Sequence, residues 1–158
     1  MKKELIIIGG GEHARVLIDT AIALSEEWDV IGFVDQMPCK STTQHFNIKK
    51  LGSDEELDAI LNKHQNANLV IGVGDISRRN KIISSLSFPE DRWANLIHPS
   101  AIIASTVILS YGIVVMSRAI IQTGAQVSEH AIINSGAVIE HDVLIGKNTH
   151  ITSGAVLG

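Results

Sequence analysis

The chain has 158 residues, of which 45% are hydrophobic and 19% charged, and its formal net charge is −4. This composition is typical of a folded globular protein, and the acidic balance offers no basic face for nucleic acid. No apolar run approaches the roughly 18–20 residues that span a bilayer. We therefore expect neither nucleic acid nor a membrane among its partners, and small-molecule chemistry is favoured.

The single cysteine, Cys39, excludes an internal disulfide and fits a reducing compartment. The N-terminal residues lead directly into a strand-like apolar run followed by glycines, which is not a secretory pattern. The expected location is the cytoplasm.

Strands and helices alternate over the first 95 residues. In chain order, we predict a strand over 4–8, a helix with Ala14, Leu17, Ile18 and Ala21 on one face, a strand over 30–34, a helix opened by a Ser53/Glu56 capping box and running to about Asn62, a strand over 69–73, and a helix over 77–86. This alternation predicts a small Rossmann-like parallel sheet, an α/β domain over residues 1–95. The segment 88–97, which contains Pro89 and leads into Pro99, marks the domain boundary.

A glycine turn joins the first strand to the first helix. Gly9, Gly10 and Gly11 begin a G-x-G-x-x-A pattern, and Asp35 ends the next strand. Glycines allow a ligand to approach the backbone, and a helix N-terminus favours phosphate oxygens. Gly74 ends the third strand at the same sheet edge. We predict that this edge holds the mononucleotide part of a substrate, with Asp35 accepting a hydrogen bond from a ribose or base. The alternative is a turn that only connects strand to helix.

A strict six-residue period runs through the second half. Branched aliphatic residues occupy Ile97, Ile103, Leu109, Val115, Ile121, Val127, Ile133, Ile139, Ile145, Ile151 and Leu157. A second phase, four residues later, is small or aliphatic almost throughout. This period fits neither an amphipathic helix nor an antiparallel sheet, and it predicts an all-β domain over 96–158, a left-handed parallel β-helix of hexapeptide repeats.

The predicted coil has an interior, corners and an end. Three sides of six residues make one turn of the coil, an 18-residue rung. The Ile121, Ile139 and Leu157 side chains should therefore stack in one column, one rung apart. The positions predicted to form the corners hold mostly Gly, Asp and Asn, residues that tolerate unusual backbone angles. Arg118 and His130 occupy two of these positions and depart from that trend. The repeats make little more than three rungs, so the β-helix is expected to be truncated or to be covered by another chain at its end.

Four histidines lie in the second half: His98, His130, His141 and His150. His141 occupies neither inward phase and precedes Asp142, so the pair should sit at a corner facing outward. A carboxylate beside an imidazole raises its basicity and fixes its tautomer, which suits a general base. Asn134, seven residues earlier, is close enough in a coil to join the same cleft. The alternative is a solvated surface pair without a catalytic role.

The combination of these segments resembles a known family. GGGEHA at residues 9–14 leads through NLIHPSA at 95–101 into hexapeptide repeats carrying NSGAVIEHD at 134–142. The whole chain resembles the bacterial sialic-acid O-acetyltransferase and nucleotide-sugar N-acetyltransferase family. The resemblance implies homotrimers that use acetyl-CoA and no metal, and, for the amino-sugar members, acetylation of the 4-amino group of a UDP-linked deoxysugar.

The resemblance also implies roles for individual residues. By position, His141 matches the catalytic base, Asp142 the acidic partner that orients it, Asn134 a residue of the acceptor pocket, His150 a histidine near the acetyl-CoA thioester, and Gly9, Gly11, His13 and Asp35 the nucleotide-binding loop and strand end. The expected function is acetyl-CoA-dependent acetylation of an amino or hydroxyl group of a nucleotide-activated sugar in surface-glycan biosynthesis. The alternatives are a sialic-acid O-acetyltransferase, a non-catalytic trimeric nucleotide-sugar-binding module, and a nicotinamide-dependent oxidoreductase suggested by the glycine turn alone.

Overall fold

A computed structural model describes residues 1–37 and 46–158 and divides the chain into two compact units, Met1–Ala94 and Asn95–Gly158. The division falls one residue before the predicted domain boundary. Cys39 lies outside the described residues. Within the described ranges, no helix has the length and apolar character needed to cross a membrane.

The first unit is built on a four-stranded parallel sheet. Its strands are β1 (Lys3–Ile8), β2 (Trp28–Val34), β3 (Lys50–Gly52) and β4 (Asn68–Ile71), arranged in the order β3-β2-β1-β4. Three of these strands were predicted, and β3 was not. The central strand β1 buries Leu5 through Ile8, each at most 1% exposed, as expected for a parallel strand covered on both faces.

In the described part of this unit, three helices have full bounds: α1 (Glu12–Ala23), α2 (Leu57–Lys63) and α3 (Ile76–Ser85). The four residues predicted to form the apolar face of α1 are buried. A 3-10 turn, Asp54–Glu56, leads into α2, and the predicted capping box is present, with the Ser53 N–H donating to Glu56 Oε2 at 2.8 Å. Asp75 caps α3 by accepting the Arg78 N–H at 2.7 Å.

The second unit is a coil of eleven two-residue strands. They are β5 (Leu96–Ile97), β6 (Ile102–Ile103), β7 (Ile108–Leu109), β8 (Val114–Val115), β9 (Ile120–Ile121), β10 (Gln126–Val127), β11 (Ile132–Ile133), β12 (Val138–Ile139), β13 (Leu144–Ile145), β14 (His150–Ile151) and β15 (Val156–Leu157). Every third strand pairs in parallel, giving three sheets: β7-β10-β13, β5-β8-β11-β14 and β6-β9-β12-β15.

The register of these sheets repeats every 18 residues. Ile139 lies beside Ile121 on one side and Leu157 on the other, which confirms the predicted column. The interior also contains fully buried alanines at 119, 125, 131 and 137, and their small side chains leave room for the large aliphatic residues. The predicted fold class, a Rossmann-like sheet domain followed by a left-handed parallel β-helix, is confirmed.

The backbone angles at two corners of the coil differ from the expectation. Arg118 and His130 were expected to depart from the corner pattern, yet both adopt positive φ, at 60° and 59°, like the glycine corners. The reason is the hydrogen bonding of the corner, because His130 N–H donates to Tyr111 O at 2.9 Å, as Gly136 N–H does to Ser117 O, and Arg118 N–H donates to Ser100 Oγ at 3.1 Å. These bonds impose the backbone angle whatever the residue. His130 is also buried, at 2% exposed.

Candidate functional site

The glycine turn of the first unit borders a cavity of about 340 Å³. Its walls come from the ends of β1, β2 and β4 and the start of α1, and they comprise Gly9, Gly11, Glu12, His13, Asp35, Gly72, Val73, Gly74 and Arg78. Parallel strands end at this edge, where α/β sheets bind ligands. Five of the residues predicted for the nucleotide site therefore line one cavity, and Gly10 lies within the same turn.

Gly9 is required at its position. Its φ is +108°, and a Cβ there would lie 2.8 Å from Val73 Cγ2 and 3.1 Å from the Gly72 carbonyl carbon. Any other residue would push β1 and the segment after β4 apart. The glycine therefore sets the width of the cavity floor.

The Asp35 carboxylate holds the turn in place. Its Oδ2 accepts the Gly10 N–H at 2.7 Å, its Oδ1 accepts the Met37 N–H at 2.8 Å, and its side chain is only 5% exposed. Both oxygens are thus engaged by the protein's own backbone. In the structure this carboxylate fixes the loop around the cavity, and its hydrogen bond to a ribose or base stays a prediction.

Arg78 is a cation of this cavity that the sequence analysis missed. Its Nη2 lies 3.6 Å from Asp35 Oδ1 and 3.4 Å from Asp54 Oδ2, and its side chain is 38% exposed. The Asp75 cap places Arg78 in the first turn of α3, directly after β4. That cap was the signal that could have located it, since a helix beginning at this sheet edge brings its first turn to the cavity.

A second arginine, Arg79, holds the backbone of one cavity wall in place. Arg79 is 1% exposed and donates through Nη1 to Ile71 O and Val73 O, both at 3.0 Å. Burial lowers the pKa of Arg79 to about 10, so the guanidinium remains charged at neutral pH. Its bonds fix the backbone that carries the Gly72–Gly74 wall.

His141 and Asp142 form the predicted pair at a corner of the β-helix. His141 Nδ1 lies 2.9 Å from Asp142 Oδ2, and the two side chains are 72% and 76% exposed. Since a carboxylate only accepts, the imidazole donates Nδ1–H and leaves the Nε2 lone pair free to take a proton. The hydrogen bond to Asp142, then its charge and more weakly that of Glu140, raise the pKa of His141 above its usual value.

Asn134 and His150 form a second pair. Asn134 Nδ2 lies 3.2 Å from His150 Nε2, and Asn134 Oδ1 accepts the Ser135 N–H at 2.8 Å. Because the amide oxygen is engaged by that N–H, the amide nitrogen donates to the imidazole. The structure thus brings together two residues that the resemblance assigns to acceptor and donor recognition. Among the described residues, no group of His, Cys, Asp and Glu side chains could hold a metal ion.

Three solved structures of acetyltransferases are similar to all or nearly all of the chain. The acetyltransferase domain of PglB from Neisseria gonorrhoeae FA1090 matches at a TM-score of 0.86 and 29% identity, over 99% of this chain and 74% of that one. The same domain in complex with acetyl coenzyme A matches at 0.83 and 28% identity, over 100% and 74%. PerB from Caulobacter crescentus, in complex with CoA and GDP-perosamine, matches at 0.75 and 31% identity, over 93% and 67%.

Sequence comparison agrees with this similarity for the first unit. Among curated proteins, no sequence is significantly similar to the chain. The family model of the PglD N-terminal domain matches residues 4–86, which include most of β1 and the other strands and helices described above for that unit. The predicted resemblance to nucleotide-sugar acetyltransferases with hexapeptide repeats is confirmed, and the chain belongs to the PglD N-terminal domain family.

Proposed function

We propose that the protein transfers an acetyl group from acetyl-CoA to an amino group of a nucleotide-activated sugar in bacterial surface-glycan biosynthesis. The observation that carries the proposal is the His141–Asp142 pair. Its geometry leaves Nε2 as a base, and it lies on a β-helix similar to those of acetyltransferases solved with acetyl-CoA or CoA. No nucleophilic residue is needed for direct transfer between two bound substrates.

The proposed reaction proceeds by a single proton relay. As the sugar amine attacks the thioester carbonyl, a C–N bond forms and His141 Nε2 takes the proton that the amine loses. Backbone N–H groups of the coil stabilise the oxyanion. The C–S bond then breaks, and the CoA thiolate leaves with the electron pair and takes the proton from His141. Asp142 stabilises the imidazolium formed between these steps.

The nucleotide is proposed to bind at the cavity of the first unit. The Gly9–Gly11 turn leads into the N-terminus of the 12-residue helix α1, which favours phosphate oxygens. Arg78 adds a partly exposed guanidinium at the cavity wall, and guanidinium groups bind phosphates through paired hydrogen bonds. The helix N-terminus and the Arg78 guanidinium are the groups of this cavity suited to a diphosphate-linked sugar, while the Asp35 carboxylate accepts from the turn and Glu12 pairs with Arg15. His13 and Gly74 form the remaining wall.

The second pair is proposed to serve the transfer itself. Asn134 would line the acceptor pocket, and His150 would lie near the thioester of acetyl-CoA. Their hydrogen bond supports these adjacent roles because it fixes both side chains before the substrates arrive.

We further propose a homotrimer in the cytoplasm. Four aliphatic side chains on outer faces of the coil are strongly exposed: Ile102 at 63%, Ile108 at 61%, Leu144 at 72% and Val156 at 70%. Exposed aliphatic residues in such number favour burial against other copies. A triangular coil presents flat faces that can pack around a threefold axis.

The proposed function is tested with acetyl-CoA and a panel of UDP-, CMP- and GDP-linked amino and hydroxy sugars. We expect CoA release with an amino sugar, and His141→Ala should lower turnover roughly 10²–10⁴-fold. His98→Ala is the control, because the imidazole of His98 is hydrogen-bonded, among the described residues, to Ser100 of its own turn. Near-normal activity of His141→Ala would remove the base from the mechanism.

Calorimetry separates the enzyme from a binding module. Binding of both acetyl-CoA and the nucleotide sugar supports the transferase. Binding of the nucleotide sugar alone, without turnover, would favour the non-catalytic module. Transfer to a hydroxyl instead of an amine would favour an O-acetyltransferase.

A further inference from the structure

The corners of the β-helix do not require glycine for their backbone angle. Four corner residues with side chains have φ values close to those of the glycines: Arg118 at 60°, His130 at 59°, Asp142 at 60° and Asn148 at 52°, against Gly112 at 66°, Gly124 at 73°, Gly136 at 68° and Gly154 at 69°. A glycine at a given corner therefore needs another explanation.

At Gly124 the explanation is space. A Cβ at this position would overlap Asp142 Oδ1 and would lie 3.3 Å from Asp142 Cγ. At Gly136, in contrast, a Cβ would meet nothing within 4 Å. The two glycines share one backbone conformation, and they differ in whether the side chain one rung later occupies the space beside them.

The carboxylate above Gly124 is the one that binds His141. Oδ1 of Asp142 occupies the space that Gly124 leaves open, while Oδ2 accepts the His141 Nδ1–H at 2.9 Å. The backbone on both sides is fixed, because Asp142 N–H donates to Thr123 O at 3.0 Å and Gly124 N–H donates to Thr106 Oγ1 at 3.0 Å. A methyl group at 124 would thus displace the carboxylate and not the corner.

We infer that Gly124 is a positioning residue for acetyl transfer: its missing side chain lets the Asp142 carboxylate reach His141 and orient its imidazole. This inference rests on the proposed function for its catalytic consequence. The placement of the carboxylate stands on geometry alone. Because the displaced group is the end of a flexible exposed side chain, the fold survives the substitution and the His–Asp hydrogen bond is what is lost.

The test compares Gly124→Ala with Gly136→Ala in the full chain, since both place a Cβ at the same backbone angle. The pKa of His141 is measured by NMR titration of its imidazole resonances. In Gly124→Ala it should fall toward the ordinary value near 6.5, and in Gly136→Ala it should stay at the wild-type value. Asp142 and Glu140 are the charged groups that raise it, and Glu140 is unchanged in both variants.

Steady-state kinetics gives the second readout. Gly124→Ala should lower kcat by roughly tenfold or more, leave KM for the nucleotide sugar within about twofold, and move the acid limb of the pH profile to lower pH. A purely structural role would instead change both variants alike.

A double variant controls for folding. Asp142→Gly removes the carboxylate and leaves a corner residue suited to positive φ. In that background Gly124→Ala should have no further effect on the His141 pKa or on kcat, because nothing remains to be displaced. A second, additive loss would overturn the inference, and so would a Gly124→Ala variant with the wild-type His141 pKa. If the wild type transfers no acetyl group, the proposed function fails, and the NMR titration alone decides the role of Gly124.

Discussion

Replacing Asp35 by asparagine removes a charge and leaves the size of the side chain almost unchanged. The native carboxylate accepts the Gly10 N–H at 2.7 Å and the Met37 N–H at 2.8 Å in a position only 5% exposed. An asparagine can serve one of these donors with its carbonyl oxygen and must turn its NH₂ group toward the other. One of the two backbone N–H groups then faces an NH₂ group in place of a carboxylate oxygen, and the remaining bond loses its charge.

The cost follows from these two bonds. A hydrogen bond to a charged group contributes about 1.5–3 kcal/mol and a neutral one about 0.5–1.5 kcal/mol. Losing one charged bond and weakening the other should lower the free energy of unfolding of the first unit by about 2–4 kcal/mol. Nucleotide-sugar binding should weaken as well, because the turn that borders the cavity is no longer held to the end of β2.

Urea unfolding followed by tryptophan fluorescence measures the loss of stability in the first structural unit, where Asp35 lies. The chain has two tryptophans, Trp28 and Trp93, and both lie within Met1–Ala94. Asp29→Asn is the control, since Asp29 is an exposed carboxylate on the same strand, and it should change stability by less than about 0.5 kcal/mol. If Asp35→Asn unfolds like this control and loses only ligand binding, the carboxylate is a ligand group and the turn-holding role is refuted.

Substitutions at three further positions test the rest of the site and the core. Asp142→Asn should lower the pKa of His141, because the carboxylate is what raises it, so the acid limb of kcat/KM should move to lower pH with a lower plateau; an unmoved limb would contradict the pairing. Ile139→Ala should destabilise the coil by about 2–5 kcal/mol in circular-dichroism melts, since Ile139 is fully buried between Ile121 and Leu157, and a cost near zero would mean that the column does not carry the coil. Arg78→Met should raise the nucleotide-sugar Kd roughly tenfold, equal to about 1.4 kcal/mol, with Arg78→Lys closer to wild type; equal Kd values for all three proteins would exclude Arg78 from the phosphate site.

The coil was predictable because its period is strict. Each inward aliphatic, such as Ile121 or Ile139, recurs at a spacing that only a three-sided coil satisfies, so one count along the chain determines the register of all eleven strands. The corner angle of Arg118 was not predictable from its own propensity. At this corner the Arg118 N–H donates to Ser100 Oγ at 3.1 Å, a contact between residues 18 positions apart that the propensity of arginine does not encode.

The structure of the first unit was harder to predict from the sequence. The short strand β3 contains one large apolar residue, Leu51, and is only half buried, so it produces no period of its own. Arg78 is one of 13 lysines and arginines, and its approach to Asp35 depends on how β2, β4 and α3 come together. The space beside Gly124 is likewise invisible in sequence, because it depends on a carboxylate eighteen positions later.

The β-helix separates two tasks by the direction in which side chains point. Inward residues meet only the rungs directly before and after their own, and they account for the cohesion of the coil. At the corner of His141 and Asp142, in contrast, both side chains are mostly exposed. Substitutions at one corner can therefore change the chemistry while the aliphatic interior stays the same. New acceptor specificities can in this way evolve without a change of fold.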